Sequence, residues 1–308
     1  MAQLWGRPVW RPDIAIDLGT ATIRVASKLH GPIVCPSETG TISALCSGVV
    51  VNIEAVVAIL EPILSETRSM GILRPRAVVC APTDASISER EAIVESVSKA
   101  GASSVVVVPE PLAAAVGGRV DIASPYAQMV VDIGEGVTDC AIIRSGKIVG
   151  TAAVRGGCCA LRKAIQAEVY RRRNLRILKH HAEEIMRIGL ANQSYDARKA
   201  YTASENTASS VVSLISPEEA RQAVRPALET ITNMIKTFLK DVPHSLGSEI
   251  IDNGIHLTGG GSLLAGMRGI IQSETKISVS PGYNPLEAVV LGARAMLPIV
   301  AMLNMWKR

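Results

Sequence analysis

Two short segments of this chain, far apart in sequence, share one pattern. Asp13–Gly19 reads DIAIDLG, and Met129–Gly136 reads MVVDIGEG. In both, apolar residues run into an aspartate, one further apolar residue and a glycine, with a threonine close behind. Short, near-continuous apolar runs closed by glycine are the mark of strands buried on both faces. A third unit, Gly254–Gly261 (GIHLTGGG), ends in the same way. Helical stretches separate the three, so the pattern predicts an α/β protein. The likeness of the first two units points to a duplicated domain with one phosphate-side loop from each half. A chance likeness between two glycine turns is the alternative that the pattern alone leaves open.

The intervening helices are legible from their ends. Ser86–Ala100 is predicted to start at a Ser86 or Ser88 cap, with Glu89 and Glu91 in its first turn, and to stop at Gly101. A short alanine-rich helix is expected over Pro111–Gly117, and helical period covers Cys159–Arg173 and Ala182–Ile188. Ser216-Pro-Glu-Glu is a strong start for a helix running toward Lys240. Asn192–Ser210 is polar and without period, as befits an insert. The 308 residues suit two domains, and a 48% apolar share with 19% charge excludes a mainly disordered chain. A net charge of +4 makes no case for nucleic acid as a partner. The six cysteines show no metal-ligand spacing and read as reduced core residues of a cytosolic protein. Met1–Asp13, with two prolines, two tryptophans and two arginines, does not read as a signal peptide. The late apolar run Ala295–Met305 is broken by Pro298 and is far short of a membrane span.

Phosphate chemistry asks for glycines where backbone N–H groups approach an anion, for hydroxyl donors, and for carboxylates that hold a hydrated Mg²⁺. Asp17-Leu-Gly19-Thr20 and Asp132-Ile-Gly134-Glu135-Gly136-Val-Thr138 each supply these parts on a strand-to-strand turn. Thr258-Gly259-Gly260-Gly261-Ser262 supplies a third glycine cradle, expected to open a helix whose N-terminus favours anions. The chain contains no GxxxxGK[ST] P-loop.

These motifs resemble those of the actin/Hsp70/sugar-kinase superfamily, and specifically the bacterial actins of the MreB/Mbl family. DLGTA matches the first phosphate loop, EPLAAAVG (Glu110–Gly117) the connecting helix and DIGEGVTD the second phosphate loop. IIDNGIHLTGGGSLL (Ile250–Leu264) resembles the adenosine motif, and PRAVVCAP (Pro75–Pro82) with SEREAI follows the same family. The resemblance implies an actin-like, ribonuclease H-like, duplicated two-domain α/β fold. It implies ATP or GTP with Mg²⁺ as cofactor: Asp17 and Asp132 would hold the metal through water. Gly19, Thr20, Ala21, Arg24, Gly134, Glu135, Gly136 and Thr138 would line the phosphates, and Gly259, Gly260 and Gly261 would lie under the adenosine. Arg24 stands where actin has a phosphate-facing lysine, and Glu110 where a carboxylate orients the attacking water. On the residues alone, an Asp before a Gly also serves as a turn acid, and Glu110 as a helix-start acid.

The chain departs from the family in several places. Glu135 replaces a glycine, though actin carries an acid there. Gly156-Gly157-Cys158-Cys159-Ala160-Leu161 replaces GGDxFD, so both acids are lost, and the polar contacts expected near Met186–Gly189 are not evident. Nucleotide binding with a weak ATPase at most is the resulting expectation. Only Ser37–Ser47 stands where the family has a small upper subdomain, a shortening similar to that of Mbl-like actins of filamentous actinobacteria. The expected organisation is domain I over 1–125 with its upper subdomain reduced near 37–47. Domain II follows over 126–284, reduced near 192–228, with a return to domain I over 285–308.

Trp5 and Trp10 among Arg7 and Arg11 suit an interfacial anchor, or equally a leader whose tryptophans pack on the domain. The C-terminal Met302–Arg308 offers a second apolar-plus-basic end, and the basic stretch Arg171–Arg173 with Arg176 and Lys179 reads as a solvated helix face, with a lipid or acidic-partner site as the alternative. The implied function is a cytoskeletal protein at the inner face of the membrane. It would form filaments with itself or with a full-length MreB-like homologue, and organise cell-wall synthesis, cell shape or sporulation. The rival reading is a nucleotide-dead scaffold. A kinase of the superfamily would need the domain I insertion that is missing here.

Overall fold

The computed structural model describes residues 12–27, 31–191 and 214–302. Asn192–Ser210, Trp5, Trp10 and the C-terminal Leu303–Arg308 lie outside the described residues. The chain divides into two units. Unit 1 takes residues up to Ala81, Ala85–Pro109 and the chain from Val290, while unit 2 takes Pro82–Asp84 and Glu110–Val289.

In unit 1, β1 (Asp13–Leu18), β2 (Thr22–Ser27) and β3 (Ile33–Pro36) form an antiparallel meander. Two dipeptide hairpins follow, β4 (Glu38–Thr39) with β5 (Ile42–Ser43), and β6 (Leu45–Cys46) with β7 (Val49–Val50). Helix α1 (Ile53–Glu66) leads to β8 (Arg76–Ala81), helix α2 (Ile87–Lys99) and β9 (Ser104–Pro109). The sheet order is β3-β2-β1-β8-β9, with β8 parallel to β1 and β9 parallel to β8.

Unit 2 repeats that order. After α3 (Glu110–Gly117) come β10 (Gln128–Ile133), β11 (Thr138–Arg144) and β12 (Lys147–Val154), again an antiparallel meander. Helices α4 (Cys158–Arg173), α5 (Lys179–Ala191), α6 (Pro217–Asp241) and α7 (His244–Asn253) precede β13 (Ile255–Thr258). Helix α8 (Met267–Thr275), β14 (Val279–Pro281) and α9 (Ala288–Met302) complete the described chain. The order β12-β11-β10-β13-β14, with β13 and β14 parallel to β10, is the topology of unit 1 strand for strand. This establishes the duplication that the two DxG segments suggest.

The central strands β1 and β10 are buried at all six positions, which explains their unbroken apolar runs. With a single Phe in the chain, both cores are aliphatic. Unit 1 packs Ile14, Ile16, Val56 and Leu60, and unit 2 packs Met129, Ile133, Leu161 and Ile231. Helices α4, α5 and α6 pack on one another, and a Cβ added to Gly189 would meet Ala220 Cβ at 2.8 Å, so α5 and α6 cross at glycine.

The helix ends follow their signals. Ser86 caps α2 through a capping box with Glu89, and Ser216 caps α6 through the same device with Glu219. Two expectations need correction. Helix α9 runs through Pro298, whose ring lies on an exposed turn, so the apolar run is helical and not broken there. The glycines at 259–261 open only a four-residue 3₁₀ turn, Gly260–Leu263, and not an α-helix, so the anion-favouring helix end expected there is absent. Two compact units meet at Pro109/Glu110 and at Val289/Val290, and α3 packs on β10 and β11 of unit 2. Among the described residues no helix is long and apolar enough to cross a membrane.

Candidate functional site

In unit 1 the β1–β2 turn carries the first glycine loop. Asp17 is 4% exposed and lies in register with Arg24 across the pair, so both side chains share one face of the sheet. Arg24 Nη1 donates to Asp17 Oδ2 at 3.2 Å. Burial pushes the Asp17 carboxyl above its ordinary range, and the Arg24 charge and hydrogen bond only partly offset it. A Cβ on Gly19 would stand 2.8 Å from the Thr22 carbonyl oxygen, so the turn closes only over glycine.

The short segment after β3 braces this turn. Ser37 Oγ donates to the Gly19 carbonyl at 2.6 Å, and Ser37 N to the Ala21 carbonyl at 3.0 Å. Gly48 N donates to Thr20 Oγ1 at 2.8 Å. Ser47 and Gly48 both have positive φ (48° and 77°), the backbone of the two-residue hairpin turn that aims Gly48 at Thr20. Ser37–Ser47 therefore holds one complete dipeptide hairpin and the first strand of a second, with a role in supporting the loop that its brevity does not suggest.

In unit 2 the β10–β11 turn carries the second loop. Gly134 N donates to the Val137 carbonyl at 2.9 Å, closing the turn. The start of α4 is stitched to it: Cys158 N donates to the Gly134 carbonyl at 3.1 Å and Cys159 N to the Glu135 carbonyl at 2.9 Å. Gly157 permits this approach, since a Cβ there would lie 2.4 Å from Gly134 O. Thr138 is fully buried and its hydroxyl donates to the Gly156 carbonyl at 2.8 Å, so it ties β11 to the α4 start.

The third glycine run packs directly on the second loop. Gly259 has φ +80°, and a Cβ there would be 2.3 Å from Asp132 Oδ1. A Cβ on Gly261 would be 2.3 Å from Ile133 Cγ2, whereas Gly260 faces more open space. The parallel register pairs Asp132 with Thr258, which brings the two loops side by side. Glu110 begins α3 in this unit.

Carboxylates buried at strand ends beside tight glycine turns are the hard oxygen donors that suit Mg²⁺ held through water. Asp17 meets that description in unit 1. Asp132, 6% exposed and given room by Gly259, meets it in unit 2. The donors fit the ion.

Two features escape sequence reasoning. Arg162, on α4, pairs with Glu135 of the second loop and with Glu183 of α5. Burial opposes its charge, but the bonds to Glu135 and Glu183 outweigh that and raise its pKa. Between these charges the Cys158 thiol is pushed up to about 12, chiefly by burial, and stays neutral. The second feature is the Ser69–Leu73 turn in unit 1. Met70 and Ile72 are each 80% exposed at its tip, with φ +54° at Met70 and +71° at Gly71. Nothing in its four-residue apolar run distinguishes it from a core segment.

A sequence model of the MreB/Mbl protein family matches residues 35–305 of this chain. The chain belongs to the MreB/Mbl family. The cell shape-determining protein Mbl of Bacillus subtilis is 30% identical, with 92% of this chain and 95% of that protein covered. The cell shape-determining protein MreB of Escherichia coli is 31% identical over 96% of both. Among solved structures, MreB5 of Spiroplasma citri bound to ADP superposes with a TM-score of 0.83 at 23% identity, covering 97% of this chain and 99% of that one. The MamK double helical filament superposes at 0.71 and 16% identity, covering 94% and 99%. These neighbours show the actin-like fold, and the MreB/Mbl relatives support an actin-like cytoskeletal role in cell shape.

Proposed function

We propose that this MreB/Mbl-family chain binds ATP or GTP with Mg²⁺ and self-associates into filaments at the cytoplasmic face of the membrane, where they organise cell-wall synthesis and cell shape. The observation that carries the reading is the repeated one. Each sheet ends its central strand in a buried aspartate and a glycine turn that a Cβ would obstruct. The same fold holds ADP in one S. citri MreB5 structure and AMPPNP in another, and forms a filament in MamK. On this reading the Gly19, Thr20, Ala21 turn with Arg24 and the Gly134, Glu135, Gly136 turn face the phosphates, and Gly259–Gly261 support the nucleoside. Asp17 and Asp132 would hold the Mg²⁺, which screens phosphate charge. Glu110 would orient water for whatever slow hydrolysis occurs, giving a weak ATPase at most.

Membrane contact has two candidate points. One is the Trp5/Trp10 leader. The other is the Met70/Ile72 turn, whose two exposed apolar side chains are followed by exposed Arg74, the pairing an anionic lipid surface attracts. A full-length MreB-like homologue and cell-wall synthesis proteins are the proposed partners.

A second reading, a nucleotide-independent scaffold, is favoured by one observation: the first turn of α4 carries no acid. Sedimentation with and without Mg-ATP, followed by electron microscopy of the pellet, separates the two. Filaments that require Mg-ATP support the first, and nucleotide-indifferent pelleting supports the scaffold.

A further inference from the structure

The second loop presents a difficulty for a polyphosphate ligand. Over Asp132–Asp139 it carries three acids, Asp132, Glu135 and Asp139, and there is no basic residue between Met129 and Arg144. A carboxylate beside a phosphate subsite repels the ligand unless its charge is cancelled nearby. Arg162 provides that cancellation from α4. Its Nη2 donates to Glu135 Oε1, and its Nη1 donates to Glu183 Oε2 at 3.0 Å. Glu183 is held in turn by Arg187 Nε at 2.9 Å. The Arg162, Glu135 and Glu183 side chains are 15%, 19% and 27% exposed, so solvent screens these charges only in part. The four charges form a closed set of two positive and two negative groups joining the loop, α4 and α5.

We propose that Arg162 is a positioning residue for the nucleotide. By clamping Glu135 against α4 it neutralises the second loop and turns the carboxylate aside, so that the loop admits a polyphosphate. The chain has an acid in the loop and lacks the acids at Cys158 and Leu161 on the helix start that abuts it. Arg162 lets that rearranged charge pattern remain compatible with an anionic ligand. The inference rests on the nucleotide reading above and adds a residue to it.

The test compares affinities for Mg-ATP, Mg-ADP and AMP, measured by calorimetry on the full chain and on Arg162→Ala, Arg162→Lys and Arg162→Ala/Glu135→Gly. An unmasked carboxylate near the phosphates predicts a loss in Arg162→Ala of about tenfold for Mg-ATP. The loss should be smaller for Mg-ADP and smallest for AMP, and should shrink as salt is raised. Arg162→Lys should bind nearly as the parent does, and removal of Glu135 in the double variant should restore Mg-ATP affinity. An equal loss for all three nucleotides, or no rescue by Glu135→Gly, overturns the inference, because a purely architectural role would weaken every ligand alike. If Arg162→Ala does not fold, Arg162→Gln decides by the same measurement: it should show the same loss graded from Mg-ATP to AMP, and an equal loss for all three nucleotides or no loss would overturn the proposal. A parent chain that binds none of the three refutes the nucleotide reading itself, which is a different result.

Discussion

Arg24 stands opposite Asp17 across the β1–β2 pair, with 3.2 Å between Nη1 and Oδ2, and the two have side-chain exposures of 17% and 6%. Replacing Arg24 by Ala leaves a carboxyl that burial already favours in its neutral form. The predicted cost is about 1–3 kcal/mol in urea unfolding, the penalty of a buried polar group that loses its partner. Arg24→Lys should recover part of that loss. Both variants should weaken Mg-ATP binding, Ala more than Lys. An unchanged unfolding midpoint in Arg24→Ala would show that the pair contributes nothing to the turn.

Asp139 gives a pH prediction. It is 1% exposed and accepts from Thr83 N at 2.7 Å and Thr83 Oγ1 at 2.5 Å. Burial raises its pKa from 3.8 to about 6, with the Thr83 bonds opposing. Because the folded state prefers the protonated form, the associated stability is fully present below about pH 4 and is lost as pH rises through about 6. The window amounts to about 3 kcal/mol. Asp139→Asn should flatten the slope of unfolding free energy between pH 4 and 6. The remaining slope includes Asp17, whose shift has the same sign. A variant with the parent's slope would place the titration elsewhere.

The parts of the fold that are legible in sequence are those with a physical reason to be so. Buried central strands leave apolar runs, and glycine turns leave DxG. Ser86 and Ser216 announce their helices because the capping box needs Ser and Glu three apart. The dipeptide strands β4–β7 are too short to show a period of two, so Ser37–Ser47 reads as a bare gap. Pro298 reads as a breaker although its ring lies on an exposed face of α9. At the site, glycines and aspartates are visible because their chemistry is local. Arg162 is not: its partners are 27 and 21 residues away, and nothing but the tertiary fold joins them.

Membrane contact should depend on assembly. A single small apolar turn or tryptophan pair gives marginal, reversible binding, which many copies in a filament multiply. Liposome co-sedimentation should rise steeply with protein concentration. Met70→Ser/Ile72→Ser should reduce it, and Trp5→Ala/Trp10→Ala should reduce it if the leader shares the load. Binding linear in concentration and indifferent to both pairs would refute the proposal.

If the chain turns over ATP, the step should depend on Glu110. Glu110→Ala should remove phosphate release while leaving the Mg-ATP affinity within about twofold, as expected for a group used in the chemical step. Turnover that survives the substitution would show that another residue orients the water.

We propose that each of the two glycine turns, with its buried aspartate, contributes to holding a Mg-nucleotide. Thermal unfolding with and without Mg-ATP tests it most directly, because a ligand that binds only the folded state must raise the midpoint. At a hundredfold excess over Kd the predicted rise is about 5 °C, abolished in Asp17→Ala/Asp132→Ala. No rise in the parent chain at millimolar Mg-ATP, or an undiminished rise in the double variant, would contradict it.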